Sequence, residues 1–258
     1  MISFFVFLAG LVIGSFLNAA IYRLEQGESV LKGRSYCPHC RHTLAWYDLV
    51  PLLSFVFLQG RCRHCAKKIS LQYPLVELAS GILFVAAFFT LSGGEALAGF
   101  SGAAQVAYLW TVFSLLLFVF VYDLKHFIIP DVAVYPAAAL ALLWQATLGG
   151  SLLPVLLSAL GAAMFFYAIH AFSKGAWMGL GDAKLALFMG LFLGFPGILT
   201  ALFLAFLAGA AVGVTLIMLK KKGMRSEVPF GPFLVLGTLA ALFWGNELVD
   251  FYLSFFWV

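Results

Sequence analysis

The chain has 258 residues, 64% of them hydrophobic and only 10% charged, with a formal charge of +4. A soluble domain of this size cannot keep so much apolar surface from water, so a water-soluble fold is excluded and lipid is the expected solvent. So small a charge gives no reason to expect a nucleic-acid partner. A spanning helix needs roughly 20 predominantly apolar residues, and about eight such stretches are expected. The fold class is therefore an all-α integral membrane protein with about eight transmembrane helices.

The first span is expected at about 2–22. It has no basic run ahead of it and no small-residue cleavage site, so it reads as a retained helix rather than a cleaved signal. Gly14, Ser15 and Asn18 on it suit close helix packing. Asn18 reads as an interhelical hydrogen bond, with a catalytic role as the alternative. A polar module follows at 23–73. It holds all four cysteines and eight of the fifteen Lys and Arg residues.

The remaining chain, 74–258, reads as a helical bundle. Its spans are expected at about 74–91, 104–122, 131–148, 152–172, 182–195, 198–219 and 230–258. Glu77 opens the second, and Gly/Ser-rich or Pro-Gly turns separate several of them. If the spans alternate, every Lys and Arg falls on one side of the membrane. The opposite side receives Glu95, Glu247 and Asp250 and no basic residue. The positive-inside rule then places the basic side in the cytoplasm and the N-terminus outside.

Within the module, Cys37-Pro-His-Cys40 and Cys62-Arg-His-Cys65 are separated by 21 residues. Each CxxC turn aims two sulfurs at one centre, and two turns close a tetrahedron. This is the pattern of a four-thiolate structural zinc site. Disulfides are the alternative, but the module is expected in the reducing cytoplasm. His39 or His64 replacing a cysteine is the less favoured ligand set, and His42 reads as surface. A small polar insertion has little core, so the metal would supply its folding energy. Trp46, Tyr47, Leu49 and residues 52–57 are expected to pack on the spans or lie at the membrane interface.

Two further places carry charge against apolar runs, and an ionisable residue in such a setting is a functional hypothesis by default. One is Asp123-Leu-Lys-His-Phe-Ile-Ile-Pro-Asp131, and the other is Gly179-Leu-Gly-Asp182. Asp123 ends the third span and Asp182 starts the sixth, at the same membrane face. Two carboxylates there could share a proton and activate a water against a peptide carbonyl. Gly179 and Gly181 are expected to allow close backbone approach. Plainer readings stand beside this one. Asp182 could cap its helix, Asp123 could pair with Lys125 or Lys184, and Asp131, after Pro130, reads as a cap.

These motifs resemble the D-x(6)-P-D and G-x-G-D motifs of type IV prepilin peptidases, bacterial leader peptidases of the GxGD aspartyl class. Gly14-Ser-Phe-Leu-Asn18, Ile21-Tyr-Arg23, Tyr73-Pro-Leu-Val-Glu77 and Pro229-Phe-Gly-Pro-Phe233 add to the resemblance, which covers nearly the whole chain. It implies an inner-membrane endopeptidase acting on prepilins and pseudopilins of type IV pili or type II secretion. It implies cleavage at the cytoplasmic face, with Asp123 and Asp182 as the catalytic pair. Members with the cysteine module also N-methylate the new terminus, using S-adenosylmethionine. No glycine-rich dinucleotide fingerprint marks the donor's site, and Glu77 is the weak candidate for a role in methylation. A helix-pairing acid is the alternative reading of Glu77. Two other functions stay open: a peptidase without methylation, and a proton- or metal-coupled transporter. A zinc peptidase is disfavoured by the lack of H-E-x-x-H.

Overall fold

The computed structural model describes residues 1–30, 32–92, 100–219 and 228–254. Glu95, residues 220–227 and the last four residues lie outside the described residues. The described residues are helical apart from loops and two isolated β-bridges. The helices are α1 (Ile2–Glu25), α2 (Leu53–Phe57), α3 (Gln72–Ser92), α4 (Phe100–His126), α5 (Asp131–Thr147), α6 (Leu153–Ser173), α7 (Leu180–Leu193), α8 (Gly197–Met218) and α9 (Gly231–Ser254). Two compact units divide the chain, Met1–Phe118 and Val119–Val258, and α4 runs across the division.

Each of the eight expected stretches coincides with a helix among the described residues. Six of these, α1, α3, α4, α6, α8 and α9, are long and apolar enough to cross a membrane. The chain is accordingly a multi-pass membrane protein. At 1.5 Å per residue, the 14 residues of α7 reach only about 21 Å, short of the roughly 30 Å hydrocarbon core. The 17-residue α5 also falls short of the length set for a span.

In the first unit, α1 and α3 pack at backbone distance. A Cβ on Gly14 would lie 2.6 Å from the Glu77 Cα, and one on Gly10 would lie 2.7 Å from the Gly81 Cα. Small residues therefore decide this crossing, as expected for helices that gain nothing from hiding apolar surface from lipid. Asn18 is buried there. Its Nδ2 donates to the Tyr73 carbonyl at 3.0 Å and its Oδ1 accepts from Gln72 Nε2 at 3.3 Å. The interhelical reading of Asn18 is the one observed. Trp110 of α4 stacks on Phe84 of α3 and donates its Nε1–H to the Phe84 carbonyl.

In the second unit, α7 is the core helix. It packs against α5, α6, α8 and α9. Nine of its residues, from Asp182 to Phe192, are buried, and they cover all sides of the helix. A helix that is apolar all round is buried in protein or spans lipid, and here protein surrounds it. That explains its shortness, since a helix sheathed by neighbours need not match the bilayer. Gly190 admits the α6 backbone at Ala159, which sits within van der Waals overlap of any Cβ placed there.

Candidate active site and metal centre

The chain leaves α4 through Phe127, which adopts a left-handed conformation and donates its N–H to the Asp123 carbonyl at 2.9 Å. Residues 128–130 then turn into α5. Pro130 is the residue before the first helical turn, and its carbonyl accepts from Ala133 and Val134. This turn carries Asp123, Ile129 and Asp131 into one cavity of about 650 Å³. Gly179, Gly181, Asp182, Lys184 and residues 228–230 line the same cavity. Asp123 and Asp182 are both buried, at 3% and 9% exposure, and they interact electrostatically. Two acids 59 positions apart in sequence (182 − 123) thus open into one space.

Helix N-termini surround these acids. Asp182 sits in the first turn of α7, where its Oδ2 accepts from the Gly179 amide at 3.1 Å. Asp182 therefore does cap its helix, and this role coexists with its place in the cavity. Asp123 faces Gly231, the first residue of α9, whose backbone amide is directed at its carboxyl. The Asp123 Oδ2 is buried and makes no hydrogen bond among the described residues. Free amides and the positive end of the macrodipole favour an anion at both places. A Cβ on Gly231 would lie 2.6 Å from that same Oδ2. Glycine is thus what allows α9 to reach the carboxyl.

Three sequence expectations need correction. Asp131 is not a side-chain cap; Pro130 holds the capping position and makes no side-chain cap bond. Asp131 instead takes Lys184 in a two-pronged ion pair, at 2.7 and 3.0 Å. The competing idea that Lys184 pairs with Asp123 fails for the same reason. Of the two glycines in Gly179-Leu-Gly-Asp182, only Gly181 is forced by close approach, since its Cβ would lie 2.9 Å from that of Ile129. Gly179 has an ordinary extended backbone, φ −76° and ψ 155°, and an added Cβ would make a tolerable 3.4 Å contact.

In the first unit, the two cysteine knuckles are near copies. In each, the amide four residues after the first cysteine returns to its carbonyl: Arg41 to Cys37 and Ala66 to Cys62, both at 2.9 Å. Arg41 and Ala66 both turn left-handed, and the bridges Tyr36–Thr43 and Arg61–Lys68 close the loops. The four Sγ atoms all lie within 4.8 Å of one another, with Cys37 and Cys65 at 3.9 Å. A tetrahedral zinc with Zn–S near 2.3 Å requires sulfurs about 3.8 Å apart, so the donor set and spacing fit the ion. The backbone amides at Cys65 and His64, with neighbouring sulfurs, lower the Cys62 thiol to about 7 despite its burial. Cys65 goes the other way, to about 11; the Lys67 amide lowers it, but burial and the three other sulfurs outweigh that. Four sulfurs this close do not all ionise without a cation among them. His39, His42 and His64 are exposed and outside the cluster; the His42 and His64 rings lie 3.5 Å apart, tilted by 35°.

Glu77 is buried at the α1–α3 crossing. Its Oε2 accepts from the Leu52 amide at 2.8 Å, and the Ser15 hydroxyl is within hydrogen-bonding reach. Its visible work is to hold the module's chain against α3.

Two family models match the sequence. The Bacterial Peptidase A24 N-terminal domain covers residues 8–91, and the type IV leader peptidase family covers residues 110–214. A protein of Aeromonas hydrophila named prepilin leader peptidase/N-methyltransferase is 32% identical, over 97% of this chain and 93% of its own length. Proteins of the same name from Bacillus subtilis and Burkholderia pseudomallei are 32% and 34% identical, over 96% and 94% of this chain and 97% and 85% of theirs. The chain belongs to the type IV leader peptidase family. It is an aspartic peptidase of the membrane, and the names of its relatives add an N-methyltransferase activity. No solved structure matches it.

In this peptidase the residue that sequence reasoning missed is Gly231. Its motif, Pro229-Phe-Gly-Pro-Phe233, was visible as a familiar string but carried no charge to suggest a role. The signal available was a glycine between two prolines at the start of an apolar helix, a place where a backbone can approach closely.

Proposed function

We propose that this peptidase cleaves the leader from prepilins and pseudopilins, with Asp123 and Asp182 as its catalytic pair. The observation that carries the proposal is that two buried acids open into one cavity beneath the N-termini of α7 and α9. One carboxyl holds a proton and the other is ionised, because like charges at close range do not both ionise readily. The ionised one takes a proton from water, and the resulting nucleophile attacks the scissile carbonyl carbon. The protonated one donates to the carbonyl oxygen. Collapse of the tetrahedral species breaks the C–N bond, and a proton passes to the departing amine. Exposed Phe127, Ile128 and Trp177 on the cavity rim give an apolar approach for the hydrophobic segment beside the cut.

In this reading eight helices cross the inner membrane, with the N-terminus outside and both cavity and module in the cytoplasm. All basic residues then face one side. Residues 23–73 form a zinc module in which Cys37, Cys40, Cys62 and Cys65 hold a structural ion. The ion fastens the two knuckles and takes no part in peptide cleavage. The second activity is N-methylation of the new terminus from S-adenosylmethionine, as the relatives' names suggest. Glu77 accepts the Leu52 amide, which fits a helix-pairing acid better than a ligand of the methyl donor.

The test is cleavage of a purified prepilin by wild type, Asp123→Ala, Asp182→Ala and Asp131→Ala, with mass spectrometry of the product. Loss of cleavage in the first two variants and partial loss in the third are expected. Full activity in Asp182→Ala would reject the pair. A product lacking the methyl increment, with donor present, would leave a peptidase alone.

A further inference from the structure

The 46–57 segment of the module exposes apolar side chains that no other described residue covers. Trp46 is 80% exposed, Phe57 82% and Val56 69%, with Tyr47 and Leu53 also exposed. Phe55 turns inward over Gly60, while Leu53, Val56 and Phe57 fall at i, i+3 and i+4 on one face of α2, with Trp46 and Tyr47 exposed just before it. A soluble module left in water would hide such a face or lose it.

The height of this face follows from one hydrogen bond. Leu52, which precedes α2, donates its amide to Glu77. Glu77 lies five residues inside α3, whose first residue, Gln72, also begins a candidate membrane span. Five residues at 1.5 Å place that contact about 7.5 Å along the helix from its mouth. An interfacial helix buries its apolar face about 5–10 Å into the boundary between headgroups and acyl chains. The exposed Leu71 and Leu75 at the start of α3 lie at the same end. The module cannot drift from this level, since α1 and α3 tether both of its ends.

Charge complements the position. Between 46 and 68 the chain carries Arg61, Arg63, Lys67 and Lys68 against one acid, Asp48. Asp48 is paired with Arg63, whose guanidinium also lies over the Tyr47 ring. Aromatic residues flanked by exposed cations are the composition of a segment seated among anionic headgroups.

We infer that the face formed by Trp46, Tyr47, Leu53, Val56 and Phe57 is an interfacial anchor that inserts into the anionic leaflet beside α3. It seats the zinc module on the bilayer instead of suspending it in the cytoplasm.

The test uses the full-length protein in nanodiscs of phosphatidylethanolamine and phosphatidylglycerol, with part of the lipid brominated. The emission of Trp46 is taken as the difference between wild type and Trp46→Phe. Bromines on the upper acyl carbons should quench it about twofold or more strongly than bromines at the bilayer centre, as shallow insertion requires. A second variant, Val56→Asp with Phe57→Asp, should raise amide hydrogen exchange across 46–57 in nanodiscs while zinc content stays at wild type. Trp46 emission that stays water-like and open to aqueous iodide would overturn the inference. So would shielding from iodide without bromine quenching, which would mean that a protein, such as a second copy of this chain, covers the face.

Discussion

Gly231→Ala is the sharpest perturbation of the active cavity, because it adds one carbon and removes no functional group. The new Cβ would stand 2.6 Å from the Asp123 Oδ2, 3.1 Å from its Cγ and 3.2 Å from the Ile129 Cδ1. Ordinary contact begins at 3.4 Å, so the carboxyl must retreat by about 0.8 Å or α9 must shift. Asp123 is buried at the end of α4 and lines the cavity, so its carboxyl would yield by swinging into that space, away from its place beneath α9. Misplacing a reacting group by about 1 Å can cost on the order of 10²-fold in rate, which is about 2.7 kcal/mol of barrier. The assay is kcat for cleavage of a purified prepilin. Gly245→Ala serves as the control on the same helix, since among the described residues its Cβ would meet only Ala241, at 3.9 Å. It should keep full activity and, by helix propensity, gain up to about 1 kcal/mol in stability. Thermal midpoints and zinc content would show that both variants fold. A folded Gly231→Ala protein that cleaves at the wild-type rate would refute the claim that α9 sets the position of the Asp123 carboxyl.

Other outcomes follow from the same contacts. Asp123→Asn and Asp182→Asn should each reduce cleavage by at least about 10³-fold with the fold intact, measured as single-turnover product, because neither amide can exchange the needed proton. Lys184→Met and Asp131→Asn should each cost about 0–1 kcal/mol in stability, since the pair is half exposed. Their effects on kcat should be non-additive in the double variant, because each removes the same link. A zinc ion held by the four cysteines would be bound with an apparent free energy on the order of 10 kcal/mol, and Cys62→Ser or strong chelation should release it. Trypsin should then cut at Arg34 and Arg61, with the membrane helices left whole on a gel. Gly190→Val should overpack the α6–α7 contact and destabilise the protein by about 1–3 kcal/mol, read as a lower thermal midpoint in detergent.

The parts that could be read directly are those whose meaning is local or one-dimensional. Cys37, Cys40, Cys62 and Cys65 announce their cluster, because a CxxC turn fixes two sulfurs within a few residues. Helix existence was equally plain, because lipid demands long uninterrupted apolar runs. The ends were less so: α7 begins at Leu180, two residues before the expected start, because its first turn is capped by Asp182 from within. The partner of Lys184 was open in sequence, since the choice between Asp123 and Asp131 turns on a contact 53 positions away.

By itself the sequence determined that the chain carries membrane-spanning helices and that Cys37, Cys40, Cys62 and Cys65 gather, and it singled out Asp123 and Asp182, which share one cavity. Tertiary structure decided which helices are buried within the protein, because protein and lipid surroundings are both apolar and leave the same composition behind. Only in three dimensions does α7 appear as the buried core, Asp131 as the counter-ion of Lys184, and Gly231 as the gap through which α9 meets Asp123. Those facts depend on distances between backbones, and a string of residues carries no such distances.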